Sequence, residues 1–88
     1  MKADKKVVTR LLNTAKGQLN GIIKMIEEDK YCIDISNQIL ASIAILKRAN
    51  QEVINAHLAY CVKESFINSD CTDEKIKEVM QVISKLLN

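Results

Sequence analysis

The sequence predicts an all-α protein, with three helices per chain and an antiparallel four-helix-bundle dimer formed with a second copy. Three observations carry this reading. The 88 residues contain no Pro, two Gly and three aromatics, so little interrupts a helix. Apolar residues recur at helical spacing through each long segment. A chain this short makes a marginal core alone, and oligomerisation or a metal ion commonly completes it. With no linker, repeat or low-complexity tract, residues 1–88 read as one domain.

The first helix is expected over about residues 5–28. Val8, Leu11, Leu12, Ala15, Leu19, Ile22, Ile23 and Ile26 give its apolar positions. Gly17 and Gly21 share one face, and each costs ~1 kcal/mol against Ala. A close helix approach at that face would compensate; the plainer reading is two tolerated glycines. Asp29 is expected to cap the next helix.

The second helix is expected over about residues 32–64. Ile35, Ile39, Ile43, Leu46 and Val53 form one stripe, and Ile33, Leu40, Ile54 and Leu58 widen it. So broad an apolar surface needs more than one neighbour. The first helix supplies one, and a second copy of the hairpin supplies the rest. Asn68 to Asp73 is the clearest break. Thr72 or Asp70 then caps a third helix over about 72–87, with Ile76, Val79, Met80, Ile83 and Leu87 on its apolar face.

The chemistry concentrates in Cys32, His57 and Cys61. Residues four apart share a helix face, so His57 and Cys61 can grip one atom. At ~100° per residue, the steps from Cys32 to each of them fall within ~20° of whole turns. All three residues therefore lie along one stripe of one helix. At ~1.5 Å per residue, however, Cys32 and His57 are ~37 Å apart. One chain cannot close such a site, whereas two antiparallel copies can. Two thiolates and an imidazole suit Cu(I), and a further ligand would admit Zn(II), Ni(II) or Co(II). The alternative for each residue alone is an ordinary core side chain; the shared stripe argues against that for the three together. Cys71 lies off the stripe in a polar stretch and reads as incidental.

Other classes find less support. Net charge is +2, which does not by itself imply nucleic acid. Lys5, Lys6, Arg10, Lys16, Lys24, Lys47 and Arg48 could equally be solvated, and no helix-turn-helix or zinc finger is visible. No phosphate loop, Ser/His/Asp grouping or paired carboxylate suggests an enzyme. No apolar run reaches the ~20 residues of a membrane span, and the N-terminus carries no secretory h-region. A soluble cytoplasmic protein is expected, and its odd cysteine count favours metal or redox chemistry over a disulfide scaffold.

The segments Gly17-Gln18-Leu19-Asn20-Gly21-Ile22, Tyr31-Cys32-Ile33-Asp34-Ile35 and His57 to Cys61, with Gln38, Ala41 and Arg48-Ala49-Asn50 between, resemble the copper-sensing repressor family (CsoR/RcnR-type). The likeness extends over nearly the whole chain. It implies a homotetramer built as a dimer of dimers, operator DNA bound without a helix-turn-helix, and DNA release when the inducer binds. Cys, His and Cys at the positions of Cys32, His57 and Cys61 resemble the Cu(I) class. Nickel/cobalt members tend to carry His at the Cys61 position, and persulfide sensors lack the histidine. The resemblance also implies Tyr31 and Glu78 as partners supporting the ligands, a carboxylate on the far ring N–H fixing the tautomer of His57.

For DNA, the resemblance implies basic positions matching Lys16 and Arg48, to which Arg10 and Lys47 are added here. Many members carry an arginine where this chain has Leu11, and Arg10 stands one residue earlier, ~100° round the helix. Either Arg10 substitutes from an adjacent direction or the operator contact differs. The reading that results is a Cu(I)-responsive repressor. A persulfide or thiol sensor using Cys32 and Cys61 is the alternative, and a metal buffer on the same bundle is a third class.

Overall fold

The computed structural model describes residues 1–67 and 73–87, and every regular element among them is α-helical. Helix α1 spans Lys5–Glu27, α2 spans Cys32–Ile67 and α3 spans Asp73–Leu87. The expected segments are all present. Helix α2 runs past residue 64, and the expected capping role of Asp70 or Thr72 lies outside the described residues.

The junction of α1 and α2 corrects one expectation. Asp29 does not cap α2; it terminates α1 with a left-handed backbone, φ 52°. Its N–H donates to the carbonyl of Ile26 at 3.1 Å, and the N–H of Lys30 donates to that of Met25 at 3.0 Å. This pair of bonds is the Schellman closure, which satisfies carbonyls that a helix end leaves open. Asp tolerates the conformation better than most side chains. The carbonyl of Tyr31 instead starts α2, accepting from the N–H of Ile35 at 3.1 Å, so Cys32 occupies the first turn. Glu28 carries ion pairs with Lys24 and Lys30, at 4.0 and 3.7 Å on the exposed surface.

The chain divides into two compact units, Lys6–Ala49 and Met1–Lys5 together with the chain from Asn50 onward. In the first, Val8, Leu11, Ala15 and Ile22 of α1 are buried. On α2 the covered positions are Ser42 and Ala49, with Ile35 and Ile45 half-buried. Small side chains thus occupy the covered face of α2. Ser42 donates its hydroxyl to Oε1 of Gln18 at 3.0 Å, a polar tie between α1 and α2 that satisfies a buried group.

Within one chain, Ile39, Ile43 and Leu46 of the expected stripe are exposed and lie beside the covered face. A Cβ at Gly17 or Gly21 would meet nothing within 4 Å in this chain. Helical phase explains this, because both glycines point away from the row Val8, Leu11, Ala15 and Ile22. The remaining apolar arc of α1, with Leu12, Leu19, Ile23 and Ile26, is exposed as well.

In the second unit, Ala3, Cys61 and Val79 are buried. Ile76, Val82, Ile83 and Leu86 of α3 are half-buried, as are Val53, Ile54, Ala56 and Leu58 of α2. Met80 and Leu87, expected on the apolar face of α3, are exposed.

Candidate metal centre

The centre begins with helix α2, which carries His57 and Cys61 on one face. Nε2 of His57 lies 3.8 Å from Sγ of Cys61. With bonds of about 2.3 Å to sulfur and about 2.0–2.1 Å to nitrogen, two ligands of one ion stand ~3.8 Å apart at a trigonal angle and ~3.5 Å at a tetrahedral one. The pair therefore fits a shared ion with little movement of either side chain. Cys61 is buried and His57 exposed, so one ligand is anchored while the other faces outward.

Among the described residues, no three His, Cys, Asp or Glu side chains converge as a metal site. Two candidate protein ligands meet here. Cys32 begins α2, 25 residues before His57 in the sequence, and is an exposed free thiol. Cys61 has a different state: its sulfur is disulfide-bonded. Ligation of a metal by Cys61 therefore belongs to the reduced chain, because the thiolate is the ligand.

Of the expected supporting residues, Glu78 lines a cavity of about 220 Å³ together with His57, Val53, Ile54, Val79 and Val82. A carboxylate and an imidazole thus open onto one mostly apolar space. Tyr31 immediately precedes Cys32 and is exposed. The ring of Tyr60, beside Cys61 in sequence, receives the ammonium of Lys2 at 3.8 Å from its centroid. This cation–π contact ties the N-terminal segment to α2, and no periodicity in the sequence announces it.

The cations proposed for DNA all fall in the other unit. Arg10, Lys16, Lys47 and Arg48 are exposed, whereas Leu11 is buried. Leu11 is thus a core residue, and the exposed cation of that turn is Arg10. The carbonyl of Arg10 accepts the hydroxyl of Thr14 at 2.9 Å, an ordinary bond back along the helix. No helix among the described residues is long and apolar enough to cross a membrane.

Comparison with known proteins adds to this geometry. The family model of the metal-sensitive transcriptional repressors matches residues 4–85. The copper-sensing transcriptional repressor RicR of Mycobacterium tuberculosis is 36% identical over 77 residues, covering 86% of this chain and 80% of the relative. The copper-sensing transcriptional repressor CsoR of Mycobacterium ulcerans is 38% identical over 64 residues, covering 73% of this chain. The aligned region spans 55% of that relative's length. Among solved structures, the nickel-responsive transcriptional regulator InrS superposes with a TM-score of 0.81, covering 98% of this chain and 96% of its own. Its sequence identity is 15%, so that likeness speaks to the all-α fold. These are regulators rather than enzymes, and the match over nearly the full length settles the assignment: the chain belongs to the metal-sensitive transcriptional repressor family.

Proposed function

We propose that this protein is a Cu(I)-responsive repressor acting in the cytoplasm as a homotetramer, a dimer of antiparallel dimers. Without metal it holds operator DNA; with Cu(I) it lets go. The observation that carries this reading is the His57–Cys61 pair, set 3.8 Å apart on one helix face and short of a third ligand. Cys32 of a second protomer completes the site. At ~1.5 Å per helical residue, the 25 residues from Cys32 to His57 amount to ~37 Å, too far for one chain's Cys32 to serve its own His57. Relatives that sense copper support Cu(I) as the ion, as does the two-thiolate, one-imidazole donor set.

Within this reading, Glu78 receives the far ring N–H of His57 across their common cavity and fixes its tautomer. Tyr31 travels with Cys32 and reaches the same site from the second protomer. Arg10, Lys16, Lys47 and Arg48, pooled over several protomers, contact operator phosphates. Bound Cu(I) supplies a soft Lewis acid that ties protomers together. The exposed apolar residues Leu12, Leu19, Ile23, Leu40 and Ile43 supply the protomer contacts that this tie biases.

The test is an anaerobic Cu(I) titration of the reduced protein on fluorescent operator DNA, read by anisotropy. Couplings of ~1–3 kcal/mol correspond to a 5–150-fold weakening of DNA binding, and DNA must weaken Cu(I) binding by the same factor. Unchanged DNA affinity at one Cu(I) per protomer overturns the reading. A second reading, a persulfide or thiol sensor, is favoured by the free, exposed thiol of Cys32. It predicts DNA release with Cys32–Cys61 crosslinks between protomers and no need for His57. A nickel-responsive fold neighbour makes Ni(II) the control metal.

A further inference from the structure

The seam between α1 and α2 holds a polar tie. Among the described residues, Ser42 alone is both polar and buried, and its hydroxyl donates to Oε1 of Gln18 at 3.0 Å. The partners stand 24 residues apart in sequence, so the bond joins two helices rather than two turns of one. We propose that Gln18 and Ser42 form a register pin: they fix how far α1 slides along α2, and so place the cations of both helices for operator DNA. The proposal rests on the repressor reading above, because it takes Arg10, Lys16, Lys47 and Arg48 as the DNA contacts. Gln18 and Ser42 are positioning residues that act through those cations.

The rest of the seam discriminates weakly between registers. Its covered α2 positions are Ser42 and Ala49, and α1 contributes Ala15 beside Val8, Leu11 and Ile22. Small side chains make shallow ridges, so sliding one helix past the other changes little apolar contact. A polar pair is different, because slippage strips a buried hydroxyl of its partner. A single buried polar side chain is a recognised way to fix helix register. Without Gln18, the hydroxyl of Ser42 can turn to the carbonyl four residues back in its own helix. That bond satisfies the hydroxyl but ties nothing to α1, so losing the pair costs register more than folding.

The consequence for DNA follows from distances. The pair and all four cations lie in one compact unit, Lys6–Ala49. Lys16 is two residues from Gln18, and Arg48 is six from Ser42. At ~1.5 Å per residue they stand ~3 Å and ~9 Å along their helices from the bond. A slip of one helical turn moves one set of cations ~5.4 Å against the other. Successive phosphates of one DNA strand are ~3.4 Å apart along the axis. A one-turn slip therefore carries the α1 cations more than a phosphate step past those of α2. Contacts that both helices make in one register cannot all survive in the other. The net worth of one hydrogen bond corresponds to a ~2–12-fold bias between the two.

The experiment uses the full reduced chain with S42A, Q18L, the S42A/Q18L double variant, and S42T, which keeps the hydroxyl. Operator binding is read by anisotropy over a salt series, folding by circular dichroism melts, and Cu(I) affinity by anaerobic competition against a chromophoric chelator. S42A and Q18L should each weaken operator binding ~2–12-fold and flatten the slope of log K against log salt. The double variant should lose no more than either single one, because each removes the same bond. S42T should bind as the parent does. Tm should stay within a few degrees and Cu(I) affinity without DNA should hold, since His57 and Cys61 belong to the other unit. Parent-like operator binding by folded S42A overturns the pin, as do additive losses in the double variant or weakened binding by folded S42T. Operator binding, Tm and Cu(I) affinity falling together also overturn it, because they mark a merely structural bond. K16A and R48A test the DNA face separately. Parent-like operator binding by both overturns that face, and the positioning role with it, whatever S42A shows of the bond.

Discussion

Replacing Leu11 with Arg tests how this chain meets DNA. It introduces the residue type that the family resemblance implies at that position, so a reading from that resemblance alone expects tighter operator binding. The structure predicts the opposite. Leu11 is 8% exposed, so nearly all of the ~1.5–3 kcal/mol gained by burying a leucine is at stake. The guanidinium adds a cost, since an unpaired charge in a covered position is worth several kcal/mol against folding. Escape of the long side chain to water recovers part of that, leaving a net loss of about 3 kcal/mol. For a domain of this size, each kcal/mol moves Tm by ~4–8 °C, so the variant should melt ~12–24 °C lower. Circular dichroism melts at one fixed protein concentration measure this, because assembly makes Tm concentration-dependent. Arg10→Ala gives the complement: exposed Arg10 should be removable with little change in Tm. Its loss should weaken operator binding and flatten the slope of log K against log salt by ~0.9 for each phosphate contact removed. An L11R protein that melts within a few degrees of the parent and binds operator more tightly would refute the burial argument.

Three other expectations follow from individual positions. Asp29→Gly should raise stability by up to ~1 kcal/mol, read as a denaturation midpoint, because glycine takes the left-handed conformation at φ 52° without steric cost. Asp29→Val should lower it. Gly17→Ala and Gly21→Ala should each stabilise the folded chain by ~0.5–1 kcal/mol, since an added Cβ meets nothing within 4 Å; dissociation of the assembly in ultracentrifugation would instead place another protomer against that face. His57→Ala should lose the DNA response to Cu(I), followed by anisotropy; a DNA response of that variant to persulfide would favour the thiol-sensor reading instead.

What the sequence made legible was periodicity, and what it hid was competition between equivalent choices. Three helices could be read because apolar spacing and absent prolines leave few alternatives. Asp29 was misplaced because Asp suits both a helix start and a left-handed helix end; the bonds from Asp29 and Lys30 back to Ile26 and Met25 decide for the latter. The apolar arcs of α1 and α2 were visible, but not which half of each arc the hairpin covers. The seam uses Ala15, Ser42 and Ala49, residues that a hydrophobicity pattern undervalues, and leaves Ile39, Ile43 and Leu46 outside. Small side chains cover that face of α2 at the cost of one polar group, which Gln18 satisfies.

The site shows the same division between what spacing reveals and what state conceals. The i, i+4 relation of His57 and Cys61 follows from helix geometry alone, and their 3.8 Å separation agrees with it. Glu78 was named only through the family resemblance, since its place on the cavity of His57 depends on how α3 packs against the second half of α2. An odd cysteine count pointed to metal or redox chemistry as if these were alternatives. The thiol of Cys61 joins them: the sulfur best placed to hold a metal is by its chemistry also open to oxidation. A soft ligand that binds copper well is, for the same electronic reason, readily oxidised, so a sensor built on Cys61 reads copper only against a stated thiol poise.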